Sequence, residues 1–281
     1  MIPVAFDYER ATSVDDAIAK LSAAGGGKLI AGGHSLVPLM KLRLSEPSRL
    51  VDISRIPGLS GITEAGGRIE IGATTVHSDI AASKLLLEKC TVIAEAAAEI
   101  GDPQVRNRGT LGGSIAHADP AADLPAVMVA LDADIQLKGP GGARTVKASA
   151  FFRGLYDVDL APGELITGVS FAPVRSAAYA KLHQKASHYA IVGVAAVLDV
   201  KGGVIQSARV GVTGATTHAI RLTGVEQALA GQKADGIAAA AALASAGVTD
   251  VSADLHASAD YRAAMVPVFT RRALERAMAR A

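Results

Sequence analysis

Two short runs in the 281-residue sequence set glycine pairs beside hydroxyls: Ala31-Gly32-Gly33-His34-Ser35, which follows the apolar stretch Lys28-Leu29-Ile30 and precedes Leu36, and Thr110-Leu111-Gly112-Gly113-Ser114. Glycine lets main-chain N–H groups come close to an anion, and consecutive N–H groups with a hydroxyl form a concavity suited to phosphate oxygens. Either run alone reads equally as a tight turn. Together they read better as the two sides of a pyrophosphate site, because a dinucleotide needs donors from both sides. On this reading a side chain at Gly33 or Gly112 takes space that phosphate needs.

Asp119 and Asp123 follow, four residues apart and just before an apolar helical run. An Asp at a helix start is ordinarily a cap, yet a carboxylate also has about four lone-pair sites with which to accept from ribityl or ribose hydroxyls. Capping is the reading for Asp119, hydroxyl binding for Asp123. Other signatures fail. Gly139-Pro140-Gly141-Gly142-Ala143-Arg144 has Arg144 where a dinucleotide loop needs its third glycine, and Gly27-Lys28 lacks the earlier glycine of a phosphate-binding P-loop. No two of the seven histidines stand in a zinc-binding spacing, so no metal is expected. His34 reads as loop packing, Cys90 as a small buried hydrophobe, and the Arg272, Arg276, Arg280 stripe as a solvated helix face.

The elements that must carry these residues are legible as an α+β pattern. Ser13-Val14-Asp15-Asp16 has the form of a capping box, and Val14, Ala17, Ile18 and Leu21 recur at helical spacing before Gly25-Gly26-Gly27. Lys28-Leu29-Ile30 and Leu50-Val51-Asp52-Ile53 read as strands, closing a first unit at residues 1–55. Arg68-Ile69-Glu70-Ile71 alternates as a strand, Thr91 to Ile100 reads as a helix stopped by Gly101-Asp102-Pro103, Gln104 to Gly113 as a loop, and Asp123 to Leu131 as a helix. Strands at Asp134–Lys138 and Leu165–Phe171, split by the Gly139–Gly142 turn, complete a second unit at 56–176. Ile191–Val200 and Val204–Val212 form a hairpin about Lys201-Gly202-Gly203, and helices at Gly224–Ala230, Ala234–Ala246 and Tyr261–Arg280 finish a third unit at 177–281.

Composition limits the function. Twenty-eight basic against twenty-seven acidic residues leave a formal charge of +1, which gathers neither nucleic acid nor an anionic membrane. Mean hydropathy is +0.31, but no uncharged run approaches the roughly 18 residues of a membrane span, and the start shows no secretory signal; a cytoplasmic protein is expected. One cysteine supplies at most one of four iron–sulfur ligands, so redox chemistry needs an organic cofactor or a partner's metal.

With these residues assembled, the sequence resembles the FAD-binding medium subunits of molybdenum hydroxylases (aerobic carbon monoxide dehydrogenase and xanthine dehydrogenase), and most of all the carbon monoxide dehydrogenase branch. The resemblance rests on Ala31-Gly32-Gly33-His34-Ser35-Leu36, Ile71-Gly72-Ala73-Thr74-Thr75, Asp102-Pro103-Gln104-Val105-Arg106, Gly109-Thr110-Leu111-Gly112-Gly113, Asp123-Leu124-Pro125, Pro162-Gly163-Glu164-Leu165-Ile166 and His188-Tyr189-Ala190. It implies a two-subdomain FAD-binding fold of the xanthine dehydrogenase and vanillyl-alcohol oxidase type plus a C-terminal α+β domain. By resemblance, Leu29, Ile30, Ala31, Gly32, Gly33, His34, Ser35 and Leu36 hold the pyrophosphate together with Thr110, Leu111, Gly112, Gly113 and Ser114. Asp123 binds hydroxyls of the FAD chain, Ile100 and Ile166 line the adenine or flavin walls, and Lys185 stands near the flavin. Tyr189 either lies against the isoalloxazine or is a core tyrosine.

The family's division of labour implies partners: a large subunit with a molybdenum cofactor, which selects the substrate, and a small subunit with [2Fe-2S] clusters, assembled as a dimer of heterotrimers. Membrane contact, at the inner face, comes only through an electron acceptor. Ser114 stands where many relatives have Asn, and His183-Gln184-Lys185 and His188 replace more basic and acidic residues around the family's Gly-Asp-Tyr-Ala stretch. The competing readings are a stand-alone FAD oxidoreductase of the same fold, for which no general acid is evident, and an assembly subunit whose flavin site has decayed.

Overall fold

The computed structural model describes residues 2–23 and 25–281. Ser13 starts the first long helix, Val14–Ala23, by accepting from Asp16 N–H at 3.0 Å, while the Asp16 carboxylate accepts from Thr12 N–H at 2.8 Å. The helix turns Ala17 and Ile18 onto a three-stranded parallel sheet ordered Asp7–Arg10, Arg49–Asp52, Lys28–Ile30, where they meet Val51 and Ile53. The sheet's edge strand therefore ends at the first glycine pair.

A five-stranded antiparallel sheet follows, ordered Ile62–Ala65, Arg68–Gly72, Leu165–Phe171, Asp134–Gly139, Gly142–Lys147. Ile69 and Ile71 face its core while Arg68 and Glu70 face outward, as the period-two pattern requires. Helices Thr91–Ala98 and Asp123–Ala130 pack into the same core. All eight residues of Asp123–Ala130 are buried, because this helix packs against the third sheet and shares the hydrophobic core of the second unit.

The third sheet is antiparallel, ordered Ala177–His183, Ala190–Lys201, Val204–Thr213, Ile220–Arg221. Along its first strand Ala177 and Tyr179 pack into the core of the second sheet, while Ala178 and Ala180 pack toward the final helix Ala259–Met278. Being covered on both faces explains why these strands read as continuous apolar runs. Gly202 and Gly203, at φ 57° and 76°, close the predicted hairpin. The predicted Ala234–Ala246 helix is a short helix, Ile237–Ala242, flanked by 3₁₀ turns. Among the described residues no helix is long and apolar enough to cross a membrane.

The α+β architecture agrees with the sequence pattern, with two corrections. The stretch Gln104–Gly113 is not one loop: Pro103–Arg106 forms a helical turn capped by Asp102, and Leu111–His117 is a helix capped by Thr110. Its glycines hid the second helix, since Gly is a poor helix former. The Gly139–Gly142 turn leads not to Leu165–Phe171 but to the strand Gly142–Lys147, an edge strand whose exposed residues carry little apolar signal. The strand Asp7–Arg10, the helices Leu36–Lys41, His77–Ala82 and Lys84–Lys89, and the strand Ala177–His183 were also not read from the sequence.

Candidate functional site

The two glycine runs meet. They line one cleft of about 590 Å³, within the range of small-molecule and cofactor sites. A Cβ on Gly32 would collide with the Arg108 carbonyl oxygen, so the missing side chain lets the first loop seat on the backbone just before Thr110. Gly33, at φ +75°, needs glycine for its backbone. Val37 N–H donates to Gly33 O at 2.9 Å and Leu39 N–H to Ser35 O at 3.2 Å, which starts the helix Leu36–Lys41. The N–H groups of Gly32, Gly33, His34, Ser35 and Leu36 donate to nothing among the described residues. Five consecutive free donors stand at the cleft.

The second run is built differently. Leu111 N–H donates to Thr75 O at 3.0 Å, Gly112 N–H to Ala73 O at 2.8 Å, Gly113 N–H to Thr110 Oγ1 at 3.2 Å, and Ser114 N–H to Thr110 O at 3.0 Å. These amides are already committed. A Cβ on Gly112 would sit 2.6 Å from that of Ala73, so the expectation that Gly112 clears room for phosphate is corrected: it clears room for Ala73. What this run shows the cleft is the exposed backbone of Gly113 and the hydroxyl-bearing residues Thr110 and Ser114.

His77, first residue of the helix His77–Ala82, lies beneath the two runs with only 4% exposure. Its Nδ1 is buried without a partner. Burial first, and then the nearby His34, push its pKa down to about 4, which keeps it neutral near pH 7.

On the cleft floor Asp123 is 4% exposed and opens the helix Asp123–Ala130. Its Oδ1 accepts from Tyr179 Oη at 2.5 Å and its Oδ2 from Lys181 Nζ at 2.9 Å. Burial pushes this carboxyl up, while Lys181 and the two hydrogen bonds pull it back toward ionisation. Lys181 Nζ also donates to Glu99 O at 3.1 Å. Asp119 does not cap the helix as expected: Ala122 is the N-cap and makes no side-chain bond, while Asp119 Oδ1 accepts from Ala121 N–H at 2.9 Å in the turn that precedes the helix.

The mouth is framed by the loop Gln184–Tyr189. Gln184 Oε1 accepts from Ala186 N–H and Ser187 Oγ at 2.8 Å each, and Gln184 N–H donates to Tyr189 O at 2.8 Å. Tyr189 lines the cleft at 44% exposure, which disposes of the core-tyrosine reading. Burial of its hydroxyl end, with Asp119 nearby, pushes its pKa up to about 12. His117 and Tyr156 stack at 5.1 Å between ring centres, and His117 also lines the cleft.

Of the residues singled out in the sequence, Leu29, Ile30, Ala31, His34, Leu36, Ile100 and Ile166 also line this cleft. Two do not. Leu111 is fully buried in the core, and Lys185 is exposed and absent from the cleft lining. Lys181, Tyr179 and His77 were missed. A lysine inside the apolar strand Ala177–His183 was the one available signal, since a buried lysine requires a partner; nothing in the sequence marked His77. No group of metal-binding side chains occurs among the described residues.

A family profile described as the FAD binding domain in molybdopterin dehydrogenase matches residues 4–173. The chain belongs to this family. A second profile, the CO dehydrogenase flavoprotein C-terminal domain, matches residues 177–277. The carbon monoxide dehydrogenase medium chain of Hydrogenophaga pseudoflava is 42% identical over 285 residues, spanning 100% of this chain and 99% of that one. The 6-hydroxypseudooxynicotine dehydrogenase complex subunit alpha of Paenarthrobacter nicotinovorans is 40% identical, spanning 100% and 97%. The solved structure of reconstituted CO dehydrogenase from Oligotropha carboxidovorans superposes with a TM-score of 0.96 at 40% identity, with both chains fully covered. The protein is an oxidoreductase subunit with an FAD-binding domain, as the glycine-run resemblance implied, and its fold is that of the molybdenum hydroxylase medium subunits.

Proposed function

We propose that this chain is the electron-transfer flavoprotein of a three-subunit molybdenum hydroxylase of the carbon monoxide dehydrogenase type, receiving electrons from [2Fe-2S] clusters of a small subunit and passing them to an acceptor. A large subunit with the molybdenum cofactor oxidises the substrate; the complex is a dimer of heterotrimers in the cytoplasm, touching the membrane's inner face only through its acceptor. Units 1–55 and 56–176 clasp FAD and unit 177–281 covers it, a division supported by the separate three-, five- and four-stranded sheets, one in each unit.

The observation that carries this reading is the run of five free N–H groups from Gly32 to Leu36 on the wall of the cleft. Free amides hold a diphosphate without lysines, and the cleft offers none there apart from Lys28 at its end. The Thr110 and Ser114 hydroxyls complete the anion side, Asp123 accepts from hydroxyls of the chain, Ile100 and Ile166 form apolar walls, and Tyr189 covers one face of the ring. Bound FAD supplies the redox chemistry, while the protein supplies orientation and electrostatics. A single buried cysteine, Cys90, whose thiol burial pushes up to about 12, takes no part.

The test is direct. Heat-denatured protein should release one FAD per chain, identified by chromatography; FMN, or no flavin from an assembled complex, overturns the reading. The isolated chain should oxidise no substrate of the whole enzyme. Multiple turnovers by the chain alone would favour the stand-alone oxidoreductase.

A further inference from the structure

We infer that Lys181 is a positioning residue of the flavin site: from the third sheet it holds the Asp123 carboxylate ionised and oriented to accept from a cofactor hydroxyl. The inference rests on the proposed FAD site and adds to it a residue that never lines the cleft itself.

Lys181 is 1% exposed at its side chain, and its Nζ lies 2.9 Å from each Asp123 carboxylate oxygen. Of the eight buried residues in Asp123–Ala130, Asp123 alone lines the cleft. An ionised carboxylate in so dry a place is strongly disfavoured unless paired and hydrogen-bonded. Stability does not explain the arrangement, because a buried ion pair is commonly no better than an apolar pair of the same shape. A need for a charged acceptor facing the cleft does. Tyr179 and Lys181 occupy part of the carboxylate's roughly four lone-pair sites and leave the rest for a ligand.

The same sheet clamps the chain leading into Asp123. Ala190 N–H donates to Ala121 O at 3.1 Å and Gly214 N–H to Pro120 O at 2.8 Å, and the Thr213 hydroxyl lies 2.7 Å from Pro120 O and 2.8 Å from Ala122 O. Three strands of the third sheet thus fix one carboxylate of the second unit. The charged and titratable groups around it are Lys181 and Tyr179 on the strand Ala177–His183, Glu99 at the end of the helix Thr91–Ala98 with Glu95 and Arg276 beyond, and Tyr189 in the mouth loop.

The experiment is FAD titration of the flavin-free full chain by fluorescence quenching from pH 5 to 8, using wild type, Lys181→Met, Asp123→Asn and the double variant. Removing the ammonium favours the protonated carboxyl. Lys181→Met should therefore weaken FAD binding about 10- to 100-fold at pH 7 and move the acid loss of affinity to higher pH. Because Lys181 acts through Asp123, the double variant should bind no more weakly than Asp123→Asn. The double variant also lacks the unpaired buried charge, and Tyr179→Phe, which removes one donor only, should shift the acid loss in the same direction even where Lys181→Met folds poorly. Wild-type affinity and an unmoved acid limb in Lys181→Met or Tyr179→Phe, or additive losses in the double variant, overturn the inference alone. A wild-type chain that takes up no FAD overturns the flavin reading and this inference with it.

Discussion

His77 offers a quantitative test of how dry the cleft floor is. Its ring packs against Gly109, where a Cβ would stand 2.8 Å from the ring's Cδ2, and the His77 backbone N–H donates to Gly109 O at 3.0 Å. With 4% exposure and an unpartnered Nδ1, the ring has no acceptor to stabilise a second proton. Burial, then the charge of His34, bring its pKa down to about 4, against about 6.5 in an unfolded chain. Between those values the unfolded chain binds a proton that the folded chain refuses, so stability falls as pH drops through that window and is unaffected above it. The difference amounts to about 3 kcal/mol by pH 4. His77→Met removes the titrating ring and the orphaned nitrogen while keeping an apolar filler. Urea unfolding of parent and variant at a series of pH values should give curves that run parallel above pH 7 and converge or cross toward pH 4, the parent losing about 3 kcal/mol relative to the variant. Parallel pH dependences throughout would show that His77 is solvated or charged in the folded state and that the cleft floor is wetter than its burial implies.

Gly32→Ala should push the first loop off Arg108, lower stability by about 1–3 kcal/mol through overpacking, and reduce flavin retention. Gly141→Ala, at a turn with nothing within 4 Å, should leave both unchanged, as differential scanning and flavin content would report. Tyr189→Ala, at an exposed position, should shift stability by no more than about 0.5 kcal/mol yet alter the bound flavin's visible spectrum and its reactivity with oxygen; an FAD-loaded variant with both unchanged removes Tyr189 from the ring's face.

How far the sequence led depends on whether a signal was local. The capping box at Ser13, the hairpin at Gly202-Gly203 and the helices at Thr91 and Asp123 depend on neighbours in sequence, and each forms where local chemistry placed it. The glycine runs were also legible, but not the division between them. Whether an amide is free is decided by what lies opposite, and Ala73 and Thr75 cover the second run from another strand connection. Lys181 and Tyr179 lay in a run that gives no alternation, since both faces of their strand are buried. His77 reads in sequence as an ordinary polar residue, and only the chain folding over it makes it unusual.

The two glycine runs therefore do separate work. Gly112 and Gly32 are small so that protein can meet protein: one admits Ala73, the other lets its loop seat on Arg108. This close seating carries the residues Gly32 to Leu36 to the cleft wall while their N–H groups remain without acceptors. A buried or half-buried amide left unpaired is costly, and five in succession are tolerable only where water or an anion completes them. On the proposed reading, the loop offers its donors to an anion before one arrives. The Asp123 carboxylate on the cleft floor follows the converse rule, being supplied with donors in advance by the third sheet. A ligand with an anionic middle and hydroxyl-bearing arms satisfies both requirements at once, whereas a simple anion satisfies the first alone and a neutral polyol the second.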